Sequence, residues 1–280
     1  MAPPAPWRSP APGRPSHLPL PPGPMPLQRG GRPLKRWRYV GVYGSELMVC
    51  AGVVQIGVAR QEFWAVWDRD GGRLHERTHL WPRGRVRFEP GRVRVHDGDV
   101  RIDLALTEDG GVETVSPHGA QHIWTRKQGG VPASGTVTLG ATEHRLDALA
   151  VIDESAGYHA RHTAWRWSAG VGTAADGRRV AWNLVDGVHD APGASERSLW
   201  IDGEPRQVGP VGFASDLSAV FFGEGGALHF AAEATRARRD ALLVLHSDYV
   251  QPFGTFTGSL PGVGDLREGF GVMERHVARW

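Results

Sequence analysis

The sequence predicts an all-β protein made of two antiparallel β-meander lobes, each a barrel or curved sandwich. Short runs alternate polar and apolar residues with period two, as in Arg92-Val93-Arg94-Val95 and Val100-Arg101-Ile102-Asp103-Leu104. Turn signals rich in Gly and Asp separate such runs about every 8–12 residues. Helical periodicity is weak throughout, with Ala231–Leu245 its best stretch, although Leu242-Leu243-Val244-Leu245 also reads as a strand.

Residues 1–33 hold 12 of the 21 prolines and almost no apolar periodicity. They read as a disordered Pro/Arg-rich leader, and Met25 offers a second start. Gly41–Ala59 is mostly apolar and follows Lys35-Arg36-Trp37-Arg38, so it imitates a signal peptide or a membrane span. Ser45, Glu46 and Gln55 interrupt it, and four glycines cut it into strand lengths, so two strands are expected. Turns follow at Asp68–Gly72, Glu89–Gly91, Asp97–Asp99 and Glu108–Gly111. In the second half they fall at Asp176–Gly177, Asp202–Gly203 and Gly223–Gly226. Phe63–Trp67 with Glu76-Arg77-Thr78 and Trp81 is echoed by Trp182–Val185 with Glu196-Arg197-Ser198 and Trp200. Two copies of one meander, over 34–146 and 147–280, would produce that echo.

The charge is lopsided. Seven Arg and Lys and no acid fall in residues 1–40, so the rest of a +2 chain carries −5. The pI of about 9.0 belongs to the leader. A nucleic-acid groove needs a basic folded body, so that function is excluded. Thirty of the 32 basic residues are Arg, and only Lys35 and Lys127 are Lys; the bias reads as genome composition. A single cysteine, Cys50 in an apolar run, excludes an intrachain disulfide and a Cys-cluster metal site. It reads as a buried, inert thiol in a cytoplasmic protein.

No phosphate loop, nucleophile elbow, dinucleotide fingerprint or His-Glu-x-x-His helix is present. No cofactor and no metal are expected. His118 and His122 have helical metal spacing, but on a strand residues four apart lie about 13 Å from each other. The densest chemistry is Asp153-Glu154 through Tyr158, His159, Arg161 and His162 to Trp165-Arg166-Trp167. Read as a loop entering a strand, Thr163, Trp165 and Trp167 share one face and His162, Arg166 and Ser168 the other. A histidine beside a carboxylate titrates near neutrality and serves acid/base chemistry. His162 and Glu154 would exchange protons, Tyr158 and Arg166 would orient, and Trp165 and Trp167 would wall the site. Asn183, His189 and Gln251 are further binding candidates, and Glu274-Arg275-His276 adds polar groups near the end.

Several segments carry a family resemblance: Lys35-Arg36-Trp37-Arg38-Tyr39, Ser116-Pro117-His118-Gly119, Trp124-Thr125-Arg126-Lys127, Gly157–Gly172, Gln251-Pro252-Phe253-Gly254 and Gly271–His276. Over residues 34–280 the chain resembles the bacterial family called domain of unknown function 2804, which implies no established activity. More distantly it is similar to tandem calycin-like proteins of the carotenoid hydratase (hydroxyneurosporene synthase) type. That likeness implies two β-meander lobes and a Tyr…His…Trp segment opening the second, here Tyr158, His162 and Trp165. An acidic residue is expected just before that His, where this sequence has Arg161, so Glu154 or Asp153 would take its place.

The expected function is binding of an apolar small molecule, a lipid or terpenoid, with acid/base hydratase, isomerase or cyclase chemistry if the protein is an enzyme. Two other readings stay open: a non-catalytic lipid-binding or scaffold protein with a structural His/Arg/acid cluster, and a carbohydrate-active β-sandwich. No nucleic acid and no membrane span are expected, though peripheral membrane contact is compatible.

Overall fold

The computed structural model describes residues 5–242 and 245–279; Met1 and residues 243–244 of the Leu242–Leu245 run lie outside the described residues. Among the described residues there is no helix, so none is long and apolar enough to cross a membrane. The leader contributes three two-residue strands, β1 (Trp7–Arg8), β2 (Gln28–Arg29) and β3 (Arg32–Pro33). The first half continues through β4 (Lys35–Tyr43), β5 (Leu47–Ile56), β6 (Ala59–Asp68), β7 (Arg73–His79), β8 (Val86–Glu89), β9 (Arg92–Asp97), β10 (Val100–Leu106), β11 (Val112–His118), β12 (Gln121–Leu139) and β13 (Thr142–Gly157). The second half holds β14 (His162–Ala174), β15 (Arg179–Asp186), β16 (Ser198–Ile201), β17 (Glu204–Gln207), β18 (Val211–Phe213), β19 (Ala219–Phe222), β20 (Ala227–Leu242), β21 (Leu245–Leu260) and β22 (Gly264–Arg279). The helical periodicity of Ala231–Leu245 is overridden by pairing of β20 with β21.

Two large antiparallel sheets result, beside the two-stranded β2-β3 pair. One runs β7-β6-β5-β4-β13-β12-β10-β9-β8 and the other β17-β16-β15-β14-β22-β21-β20-β19-β18. With β11 set aside as an excursion, both read fourth-third-second-first-last and then back down the meander. Two copies of one meander are therefore present, each with its first strand paired to its last. The chain crosses between them at residues 158–161, beyond the boundary expected after 146, because β13 runs unbroken through that position. The echo noticed in sequence is out of step by one strand: it matches β6, third in its sheet, with β15, second in its own.

Each sheet curls around its own core. Val40, Val42, Val49, Trp64, Ile102 and Leu104 fill the first. Trp182, Leu184, Leu199, Val220 and Phe256 fill the second. A third core lies between the sheets and draws Tyr39, Met48, Cys50, Ala65 and Val151 from one and Trp167, Ala169, Val185, Phe253 and Val272 from the other. Central strands are thus buried on both faces: Leu47, Val49 and Ala51 point into the first core while Met48 and Cys50 point into the shared one. This is why Gly41–Ala59 looked like a membrane segment; alternation vanishes when both faces are covered.

The leader is a correction to the expected disorder. Trp7-Arg8 pairs with Val115-Thr114 on β11. Leu20 is buried against Val115, Trp124 and Ala156, with Trp7, Leu18 and Met25 packed beside it. Arg8 donates to Ser195 O (2.6 Å) and Ser198 Oγ (3.0 Å) of the second half. Isolated apolar residues and arginines that grip carbonyls hold a proline-rich chain flat without any periodic signal. Gly30 and Gly31, both at positive φ, turn β2 into β3 in the manner of a two-residue hairpin.

Candidate functional site

The sheets enclose a cavity of about 190 Å³ between them, walled by Trp37, Tyr39, Phe63, Trp165, Trp167 and Val185. It lies between the lobes, since each lobe's interior is filled by its own core. The first and last strands of each sheet supply the wall, and they do so twice in the same way. In the first sheet Trp37 on β4 lies opposite Ser155 of β13, and its Nε1 donates diagonally to Asp153 Oδ2, two residues back, at 3.0 Å. In the second, Trp165 on β14 lies opposite His276 of β22, and its Nε1 donates to Glu274 Oε1, again two residues back, at 2.9 Å. The wall is therefore a pair of half-sites, each an indole bonded to a carboxylate.

The half-sites differ in the residue contributed by the next strand. Asp153 lies opposite Lys127 of β12, whose ammonium bonds Asp153 and sits 3.2 Å from Glu196 Oε1. Burial works against that charge, but the two carboxylates outweigh it and hold Lys127 above its ordinary range. Glu274 instead receives a neutral amide, Gln251 Nε2 of β21, at 3.0 Å, and a bond from the Tyr249 hydroxyl. Burial raises the Glu274 carboxyl to about 7, against the hydrogen bond from Trp165.

Lys35 stands between the half-sites. Its Nζ lies 5.4 Å from the Trp37 ring centre and 5.2 Å from that of Trp165, within cation–π reach. Burial lowers this ammonium to about 8, with Glu274 acting to raise it. Arg236 of β20 is buried over Phe63 at 4.7 Å and binds Glu76 Oε2 (3.0 Å) and Gln251 Oε1 (3.3 Å). His276 packs on Trp165 at 4.4 Å, bonds Ser247 Oγ at 2.9 Å, and is pushed by burial to about 3.

The structure brings together only part of the set named from sequence. Trp165, Trp167 and His189 line the cavity. Gln251 supports it from behind, and Asn183 accepts from Trp167 Nε1 at 2.8 Å. His162 sits exposed at the start of β14 opposite Arg279. Glu154 points to the other face of β13 and bridges Arg38 and Arg126, both at 2.5 Å. Arg166 faces Asp186 at 3.8 Å. Tyr158 is buried against the leader, where its hydroxyl donates to Pro26 O at 2.9 Å. His162, Glu154 and Tyr158 thus do not meet: Glu154 lies in β13, Tyr158 in the crossover and His162 at the start of β14 in the other sheet. The predicted strand over His118 and His122 is a hairpin, with Pro117 opposite His122. The strand-based 13 Å separation does not apply; His118 stacks on His159 and His122 on Tyr158. Among the described residues no group of three or more His, Cys, Asp or Glu is arranged to hold a metal ion. Lys35, Lys127 and Arg236 are wall residues that the sequence reading gave no role in binding or catalysis, and Asp153, named there only as a stand-in acid, also lines the wall.

The family described as domain of unknown function (DUF2804) matches residues 85–280. The chain belongs to this family. The match begins at Arg85, so it covers the β12, β13 and β21–β22 side of the wall while the Lys35–Tyr39 motif precedes it. A search of curated proteins gave no match for this DUF2804 member. Among solved structures, kievitone hydratase from Nectria haematococca is 10% identical at a TM-score of 0.53, covering 86% of this chain and 88% of that one. A protein described as AttH from Nitrosomonas europaea is 14% identical at 0.49, covering 86% and 91%. CghA with Sch210972 is 8% identical at 0.39, covering 88% of each chain. At these identities the likeness to kievitone hydratase is one of fold: a two-lobed, lipocalin-like β-protein.

Proposed function

We propose that this protein binds a small, mostly apolar molecule between its two lobes and transfers a proton to or from it through Glu274. The observation that carries this is the buried carboxyl at about 7 in a wall of indoles. A group half-protonated near neutrality serves as acid or base with equal ease. Aromatic walls with few placed polar groups suit an apolar ligand such as a lipid or terpenoid. Hydration, isomerisation and cyclisation can each proceed by such a proton transfer at an apolar carbon skeleton. The hydratase fold of the structural neighbour is compatible with this reading by analogy of architecture alone.

In this scheme Gln251 and Trp165 hold the carboxylate, Tyr249 and Lys35 polarise it, and Trp165, Trp167 and Trp37 exclude water. The test is native mass spectrometry of the protein purified from its own host. Wild type is expected to carry an apolar molecule, and Val188→Trp, which fills the cavity, is expected to lose it. Glu274→Gln is expected to keep the molecule and leave it unconverted. An empty wild-type protein, or a Glu274→Gln variant that still converts its ligand, overturns the proposal.

A further inference from the structure

Three imidazoles stack where the 158–161 crossover meets the 187–197 loop. His159 lies 5.8 Å from His118 and 6.1 Å from His189, and Trp37 covers it at 5.4 Å. His159 and His189 both line the cavity, and they are 1% and 7% exposed. Neither nitrogen of either ring has a hydrogen-bond partner. Burial pushes both far below the ordinary imidazole range, His189 to about 3, aided by the Lys35 charge at His159 and that of Lys127 at His189. Both rings are therefore neutral, and each carries one N–H donor and one bare acceptor nitrogen. Buried polar atoms are nearly always paired, so four unpaired ones on two rings that line a cavity ask for an occupant. His189 is also held at φ 54, an uncommon conformation for a residue with a Cβ. Backbone held there by its surroundings is a mark of functional sites.

We propose that His159 and His189 are the docking point for a neutral oxygen group, a hydroxyl or a carbonyl, at one end of the apolar ligand. The inference rests on the cavity being a ligand site and names the class of ligand: apolar alcohols, phenols and ketones. Both hydrogen-bonding polarities are offered side by side, which suits an oxygen that can accept from one ring and, as a hydroxyl, donate to the other. Lys35 and Lys127 act on these rings as cations, yet the one that acts on His189 has its charge already balanced. Lys127 is already shared by Asp153 and Glu196, and Glu196 Oε2 is itself buried without a partner, so a ligand carboxylate would face anions. Trp37, stacked on His159 and facing Lys35, would then guide the apolar body toward Trp165 and Glu274.

Three probes with one ring system separate the possibilities: 2-naphthol, 2-methylnaphthalene and 2-naphthoate, titrated by calorimetry. Wild type is expected to bind 2-naphthol about tenfold or more tighter than 2-methylnaphthalene, and tighter than 2-naphthoate. In the double variant His159→Phe, His189→Leu the two neutral probes are expected to bind within about twofold of each other, with 2-methylnaphthalene unchanged. A preference for 2-naphthol that survives in the variant, no preference in wild type, or tighter binding of 2-naphthoate overturns the proposal. Should no probe bind wild type, the cavity-binding reading itself fails. A second measurement needs no variant: ¹⁵N shifts of both imidazoles in wild type should move with 2-naphthol and stay fixed with 2-methylnaphthalene, and the reverse refutes the docking point.

Discussion

Glu274→Gln should change the pH dependence of stability. The folded carboxyl titrates at about 7 and the unfolded one at the ordinary 4.5. A group whose folded value is raised stabilises the protein while it is protonated, and that contribution disappears as pH rises through the folded value. At pH 5 folding has cost Glu274 about 0.8 kcal/mol, since the unfolded carboxylate is mostly ionised and the folded one is not. At pH 8 both are ionised and the cost is about 3.3 kcal/mol. The variant lacks this slope, so its stability relative to wild type should rise by about 2.5 kcal/mol from pH 5 to pH 8. Removing Glu274 also removes the anion that supports Lys35, whose ammonium then neutralises at lower pH, which adds in the same direction. The new amide accepts from Trp165 or Gln251 with its one oxygen and leaves the other donor unpaired, a loss of about 1–3 kcal/mol at every pH. The difference at one pH is thus uninformative and the slope decides. Urea unfolding of both proteins at pH 5, 6, 7 and 8 measures it. A difference that stays flat within about 0.5 kcal/mol would mean that Glu274 is not a raised, buried acid.

Lys127→Met leaves Asp153 and Glu196 buried without their cation, and urea unfolding should show a loss of about 3–5 kcal/mol. Gln251→Lys places an ammonium beside Glu274 as Lys127 stands beside Asp153; the Glu274 carboxyl should fall by about 1–3 pH units, read from its infrared stretch across a pH series. Arg8→Ala removes two bonds from the leader to the second half, and limited proteolysis within residues 9–33 should accelerate by about fivefold or more while the β22 strand stays intact.

Period-two patterning made the all-β class legible, because alternation and turns are local, whereas the echo behind the two-meander reading is out of step by one strand. The site was less legible. The sequence grouped His162, Glu154 and Tyr158 because they are close along the chain, yet the crossover at 158–161 carries the chain from β13 in one sheet to β14 in the other. Trp165 and Trp167 were read correctly onto one face, since their spacing is the strand's own. Gln251 was named as a binding candidate and Glu274 only as a polar residue near the end; their meeting with Trp165 depends on last-to-first strand pairing, which no local pattern encodes. One usable signal was set aside. In a chain where Arg replaces Lys almost everywhere, the two lysines that remain are both buried, 5% and 2% exposed, in this cavity wall. A compositional bias explains the arginines, and it leaves the exceptions to be explained by chemistry, since an ammonium can lose its proton when buried and a guanidinium effectively cannot.

The repeat gives a physical reason for chemistry in one half-site only. A meander whose first and last strands pair brings an indole and a carboxylate together diagonally, and doing so twice puts two buried carboxylates on one cavity. Two uncompensated anions there would each carry a large desolvation cost and would repel one another. Asp153 is relieved by Lys127, whose ammonium bonds it directly. Glu274 is relieved by taking up a proton near neutral pH, with only a neutral amide from the matching strand. Under the proposed function the Lys127 half is a scaffold, while the Gln251 half retains a movable proton. Lys35, placed between both indoles, is close enough to Glu274 for each to tune the other. The asymmetry between Lys127 and Gln251, more than any single residue, is what would make the second lobe the reactive one.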